Sequence, residues 1–338
     1  MTTPGRLKKM NRRHWLGATL CAVGTAASLV PVTALAEGGA WPNRPIRLIV
    51  PFPAGGSTDM VARHLAQGLS ERLGTSVIVD NRAGAAGNIG TDAVAKAAPD
   101  GYTIGLVTSG PMVNNKFLYK SMPFDPDKDL APIALVCEIP TVFVSNPEHL
   151  PARDLQEFIA MARAEPSAFT VATPGNGTIG HLALAELSLT SGVRLQDVPY
   201  RGDTPALMDL LGGVVQVISA PVSTFIPGIL AGKLRGLAVT AQARLPGLPD
   251  VPTAREQGLD LTAKVWFAVV GPAGMPALAV QQLNEQINGL LDSAPSQSKL
   301  QQYGAVVASG SPEWLRQRIH ADGQKWQQVI RAAQVKLD

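Results

Sequence analysis

Short apolar runs alternate along the chain with Pro/Gly loops and with stretches of helical period. The first clear unit is Ile46 to Asp59, IRLIVPFPAGGSTD. Ile46, Leu48, Ile49 and Val50 predict a buried strand, the Pro/Gly segment a tight turn, and Ser57-Thr58-Asp59 a capped helix start. Val61, Leu65, Leu69 and Leu73 continue that helix to a stop at Gly74. Strands are then predicted at Val77 to Val79 and Tyr102 to Val107, with a short helix over Ala93 to Ala98 between them. A long β-type run covers Ile133 to Val144, and Leu155 to Ala164 reads as a helix. Phe169 to His181, FTVATPGNGTIGH, repeats the strand–loop–helix unit, its helix running His181 to Leu189. Further short runs lie at Val198 to Tyr200, Ala206 to Leu211 (helical), Val214 to Ser219, Leu237 to Thr240 and Val265 to Val270. The final third is helical, over Leu278 to Leu291 and Pro312 to about Ala333. This alternation predicts an α/β protein built of parallel βαβ units.

The two strand–Pro/Gly loop–helix units carry the functional expectation. Free N–H groups at a helix N-terminus and the positive end of its dipole bind anions. Two such loops, one per half of the chain, can face each other across a cleft. Taken singly, each is explained equally well as an ordinary tight turn with a helix cap.

Composition sharpens this reading. Arg6, Lys8, Lys9, Arg12 and Arg13 precede an uncharged run from Trp15 to Ala36 that ends in Ala34-Leu35-Ala36. A basic segment, an apolar segment and an A-x-A site predict a signal peptide over residues 1–36, with the mature chain starting near Glu37 in the periplasm. Asn11 to Leu16 (NRRHWL) resembles a twin-arginine signal. Removing five of the 29 basic residues leaves 24 against 26 acidic ones, so the mature chain carries about −2 rather than the +3 of the whole. With no basic run or aromatic-rich patch, nucleic acid is not an expected partner. Cys137 is the single cysteine after Cys21 is removed, so it reads as a buried thiol.

Catalytic patterns are missing. Gly55-Gly56-Ser57-Thr58 is no P-loop, because no Lys follows. Gly84, Gly87 and Gly90 lack dinucleotide-binding spacing and read as loop and helix packing. Ser109 stands at a strand end, outside any G-x-S-x-G elbow. His64 and His181 have no neighbours at metal-ligand spacing, so neither metal nor cofactor is expected. His181 either meets an anionic ligand or bonds its own backbone, and Asp203 either neutralises an ammonium group or caps a turn.

Several motifs occur together and in order: VPFPAGGSTD ending at Asp59, NRAGAAGNIG over Asn81 to Gly90, PDGY at Pro99 to Tyr102, FDPDKD at Phe124 to Asp129, VPYRGDTPAL at Val198 to Leu207 and LLGGV at Leu210 to Val214. In these the mature chain resembles the extracytoplasmic solute receptors of tripartite tricarboxylate transporters, the Bordetella uptake gene family. The resemblance implies a type II periplasmic-binding fold, two doubly wound α/β domains flanking a ligand cleft. Their expected bounds are 41–139 plus 263–338 and 140–262. It implies a small organic carboxylate as ligand, the transporter's large and small membrane subunits as partners, a monomer, and no catalysis. The ligand would be held by Phe52, Ala54, Gly55, Gly56, Ser57, Thr58 and Asp59 of the first loop, and by Thr173, Gly175, Asn176, Gly177, Thr178 and His181 of the second. Thr108, Ser109, Gly202 and Asp203 would line the rest of the cleft. The GPMVNN segment after Ser109 departs from the familiar pattern, and it, Pro53 and Asp203 are expected to bear on which ligand is read. A sensor for a membrane kinase uses the same fold and is the alternative function. A hydrolase is another, for which Ser109 and His181 are the pair to test.

Overall fold

The run at Ile46 forms strand β1 (Ile46–Val50), which lies between β2 (Val77–Asn81) and β3 (Thr103–Thr108), parallel to both. A second parallel trio has β5 (Thr170–Thr173) between β6 (Gln196–Pro199) and β7 (Val217–Pro221). Two long strands join the trios: β4 (Leu130–Ser145) and β9 (Lys264–Pro272). The sheet order is β2-β1-β3-β9-β4-β7-β5-β6, with β8 (Arg235–Val239) and β10 (Val306–Val307) also paired to β4. The expected parallel units are therefore present, while the joining strands run antiparallel to their neighbours. The computed structural model describes residues 41–165 and 168–335, which belong to one compact unit. The signal peptide expected over residues 1–36 falls outside the described residues. Among them, no helix is long and apolar enough to cross a membrane.

β4 changes partner midway. Leu130 to Pro140 pair with β9, and Thr141 to Ser145 pair with β7. At the change, the Thr141 N–H donates to the Ala263 carbonyl (3.1 Å), and the Thr240 hydroxyl donates to the same carbonyl (2.6 Å). The Thr141 and Thr240 hydroxyls meet at 2.7 Å. Both side chains are fully buried, so this satisfied cluster holds three backbone segments at one point.

The longer helices cover the sheet with an apolar stripe. In α1 (Ser57–Leu73) the buried positions include Val61, Leu65 and Leu69, and Gly68 lets α8 (Ala277–Leu291) approach through Leu290. His64 sits on the flank of α1 as expected, its Nε2 2.7 Å from the Ser296 hydroxyl. The C-terminal α10 (Pro312–Ala332) packs along β4. Arg318 bridges Asp322 and Glu138, and the buried Trp266 donates its Nε1–H to Asp322 at 2.7 Å. Cys137 is free and buried in the core, where burial pushes its thiol up. The helix expected over Ala93 to Ala98 lies earlier, at α2 (Asn88–Ala95). It contains Gly90, at which a Cβ would stand 2.6 Å from the Pro51 Cα. The Gly84–Gly90 segment is thus backbone packing, as read.

Candidate ligand-binding site

The first loop leaves β1 and enters α1 differently from expectation. The residue flanking the helix is Gly56, in extended conformation, and Ser57 is already the first helical position. Glycine has no side chain with which to cap, so Ser57-Thr58-Asp59 is not self-capped as the sequence pattern suggested. The cap comes instead from Asp203, 146 residues away, whose Oδ2 accepts from the Ser57 N–H (3.0 Å) and hydroxyl (2.7 Å). The Thr224 hydroxyl donates to the same oxygen at 3.2 Å. Burial pushes the Asp203 carboxyl above its usual range, and the Ser57 and Thr224 donors oppose this.

Asp59 braces the loop from inside. Its Oδ2 accepts from the Gly55 N–H (2.9 Å) and Arg63 Nε (2.8 Å), and its Oδ1 from the Asn81 amide (3.0 Å). Burial raises its carboxyl, but the Arg63, Gly55 and Asn81 donors outweigh this and hold it below the usual range. Its side chain is fully committed.

The second loop leaves β5 and enters α5 (Ile179–Ser191). Here the cap is local, since Thr178 accepts from the His181 N–H (3.4 Å) and donates to the Gly175 carbonyl (2.7 Å). Gly175 and Gly177 have φ of 135° and 90°, which a side chain would strain. The His181 Nδ1 accepts from the Gly177 N–H at 3.0 Å, which places its proton on Nε2, 3.7 Å from Asp197. Burial lowers the imidazole and Asp197 opposes this, and through Nδ1 the ring serves its own loop.

Both helix N-termini border one small cavity of about 30 Å³. That is room for roughly two water molecules. Its polar walls are Ser57, Thr58, Thr108, Thr178 and Asp203, and its apolar walls include Phe52, Pro53, Pro174, Pro221, Val265 and Phe267. Among the described residues, the Thr58, Asp59, Ile179 and Gly180 amides have no protein acceptor, nor do the Thr58 and Thr108 hydroxyls have a protein partner. No Lys or Arg lines the cavity. The cleft is shut: besides Ser57–Asp203, the Thr204 hydroxyl donates to the Ala54 carbonyl (3.2 Å), the Asn114 amide to Gly177 (3.2 Å) and the Tyr119 hydroxyl to Asn176 (3.3 Å).

The structure brings Phe52, Gly56, Ser57, Thr58, Thr108, Thr178 and Asp203 together around this space. Gly175 and Asn176 lie instead on a rim cavity of about 160 Å³, opposite Ala85 and Ala86, which adopt positive φ. Gly55 donates its N–H to Asp59, and the Thr173 hydroxyl binds Asp197 at 2.8 Å. Gly202, at φ 124°, lies against Pro53, where a Cβ would come within 2.7 Å of the ring. The Ser109 hydroxyl is buried without a partner, so the Ser109–His181 pair is not formed. Ile179, Pro221, Thr224, Val265 and Phe267 were not anticipated. Val265 and Phe267 share one face of β9 by the two-residue period, a signal that becomes legible only once that strand is placed beneath the cleft.

A curled, doubly wound α/β sheet with two opposed helix N-termini at a central cavity defines a solute-binding protein of the periplasmic type. The solved R. palustris protein Rpa4515 with adipate superposes with a TM-score of 0.84 at 35% identity, covering 87% of this chain and 98% of that one. MatC from Rhodopseudomonas palustris with bound malate gives 0.81 at 31% identity, covering 86% and 100%. BugT of Bordetella pertussis is 38% identical over 330 residues, 97% of this chain and all of that one. The chain belongs to the tripartite tricarboxylate transporter receptor family, whose family model matches residues 61–335. That family consists of substrate-binding receptors, which favours transport over sensing or hydrolysis.

Proposed function

We propose that the exported protein closes two lobes, residues 41–139 plus 263–338 and residues 140–262, on a small organic carboxylate. It then delivers this ligand, as a monomer, to the large and small membrane subunits of a tripartite tricarboxylate transporter, and performs no chemistry on it. One observation carries the reading: two helix N-termini with unspent amides meet at a single cavity that also presents free hydroxyls. The similar receptors with adipate and malate bound support a carboxylate. The 30 Å³ of the shut cleft is too small for either acid, so the cross-cleft bonds must break to admit ligand.

The test is a thermal-shift screen of protein recovered from the periplasm, with N-terminal sequencing to check for a start at Glu37. A ligand at 100 times its Kd adds about 2.7 kcal/mol of stability. No stabilisation by any organic acid would sink the proposal. Thr58→Val keeps side-chain shape but removes a hydroxyl bonded to a charged acceptor, worth about 1.5–3 kcal/mol. The expected result in calorimetry is a 10- to 150-fold rise in Kd, with the melting temperature of the unliganded protein nearly unchanged.

A further inference from the structure

Asp203 is a buried carboxylate without a cation. It is 8% exposed, and no Lys, Arg or His forms an ion pair with it among the described residues. Its Oδ2 is used three times, by the Ser57 N–H, the Ser57 hydroxyl and the Thr224 hydroxyl, while Oδ1 receives no protein donor. Asp203 lines the same cavity that holds the unspent amides and hydroxyls of Thr58, Thr108 and Ile179. The cavity is therefore two-signed, with donors lacking an acceptor on one side and an acceptor lacking a donor on the other. Buried polar groups are normally satisfied, and a buried charge is normally paired.

We propose that the missing partner of Asp203 is the ammonium group of the ligand, and that this receptor selects amino-bearing monocarboxylates over dicarboxylates. The inference rests on the carboxylate-receptor reading above. A dicarboxylate would set its second carboxylate against Asp203 in a cavity whose lining, among the described residues, holds no Lys or Arg, and like charges so placed are costly. An ammonium group there pairs with Oδ1, while the ligand carboxylate takes the amides at the helix N-termini. Asp203 then selects ligand charge as well as capping α1.

Calorimetry with length-matched ligands tests this: 4-aminobutyrate against glutarate, 5-aminopentanoate against adipate, and glutamate and leucine as α-amino probes. The wild-type protein is expected to prefer an amino-bearing acid by about 30-fold or more, consistent with a penalty of a few kcal/mol for a like charge. In Asp203→Asn and Asp203→Ser, amino-acid affinity should fall and dicarboxylate affinity rise, so that the preference collapses. Wild-type preference for a dicarboxylate overturns the inference without any variant and leaves the receptor reading intact. An equal loss for both ligand classes in the variants also overturns it, since Asp203 would then be only a latch on the shut cleft. Failure of every acid to bind defeats the receptor reading itself, and this inference with it.

Discussion

Asp59→Ala is expected to lower stability by about 1–3 kcal/mol, the range for leaving hydrogen-bond donors without their acceptor, and to abolish ligand binding. The Gly55 N–H and the half-buried Asn81 amide each lose the acceptor that the buried Asp59 supplies, and the Asn81 amide keeps the Phe52 carbonyl. Arg63 contributes little to this sum, since its side chain is 59% exposed and its ion pair is screened by water. Without the brace, the first loop no longer holds Thr58 at the cavity. Asp59→Asn keeps one acceptor and is expected to cost less. The sign of the pH dependence follows from the lowered carboxyl. The Asp59 contribution is fully present above the unfolded-state value near 4 and is lost as pH falls through the lower folded value. Urea unfolding of both variants between neutral pH and pH 3 checks this. A melting temperature for Asp59→Ala within two degrees of wild type would show that the brace does not stabilise the loop.

Gly180→Ala is the second large effect. A Cβ at this position would overlap the Ser219 carbonyl oxygen and stand 3.0 Å from the Pro174 ring. The obstacle is backbone of β7, itself held in register against β4 and β5, so it cannot yield as a side-chain end would. Overpacking of this kind costs about 3 kcal/mol or more when the neighbour is rigid. The neighbouring Ile179 lines the cavity, so any displacement of α5 moves its unspent amide. We expect a fall of several degrees in melting temperature together with at least a tenfold loss of affinity. The control is Gly192→Ala at the far end of α5. No atom crowds a Cβ there, so only the strain of its φ of 66° is added. Affinity in that control should be unchanged.

How far the site was legible in the sequence depended on the range of each interaction. The two loops could be read because strand period, Pro/Gly turn and helix period are local signals. The cap of α1 could not, because Asp203 reaches Ser57 from 146 residues away and, viewed locally, is simply an acidic residue beside a turn glycine. His181 was ambiguous for the opposite reason: its partner, the Gly177 N–H, is four residues away, and a local bond competes directly with a ligand role. The long strand was seen at Ile133 to Val144 but runs from Leu130 to Ser145. Pro132, beside a register shift against β9, concealed its beginning. Strand β10 is only two residues long, and α9 (Ala294–Gln302) buries only Ser296 and Leu300, so neither has the apolar stripe that announces an element.

β4 leaves its pairing with β9 at Thr141, the chain comes back at Ala263, just before β9, and these two residues are joined by a single backbone hydrogen bond. Everything between them is a closed excursion whose ends already touch. A graft of this segment from one family member into another therefore has its two covalent junctions side by side, held by backbone atoms and the Thr141–Thr240 hydroxyl pair, and must also match contacts such as Ser57–Asp203 and the Ser223 hydroxyl on the Tyr303 carbonyl. New pairings of first and second loops are open to recombination at that point, without disturbing the trio of β1, β2 and β3.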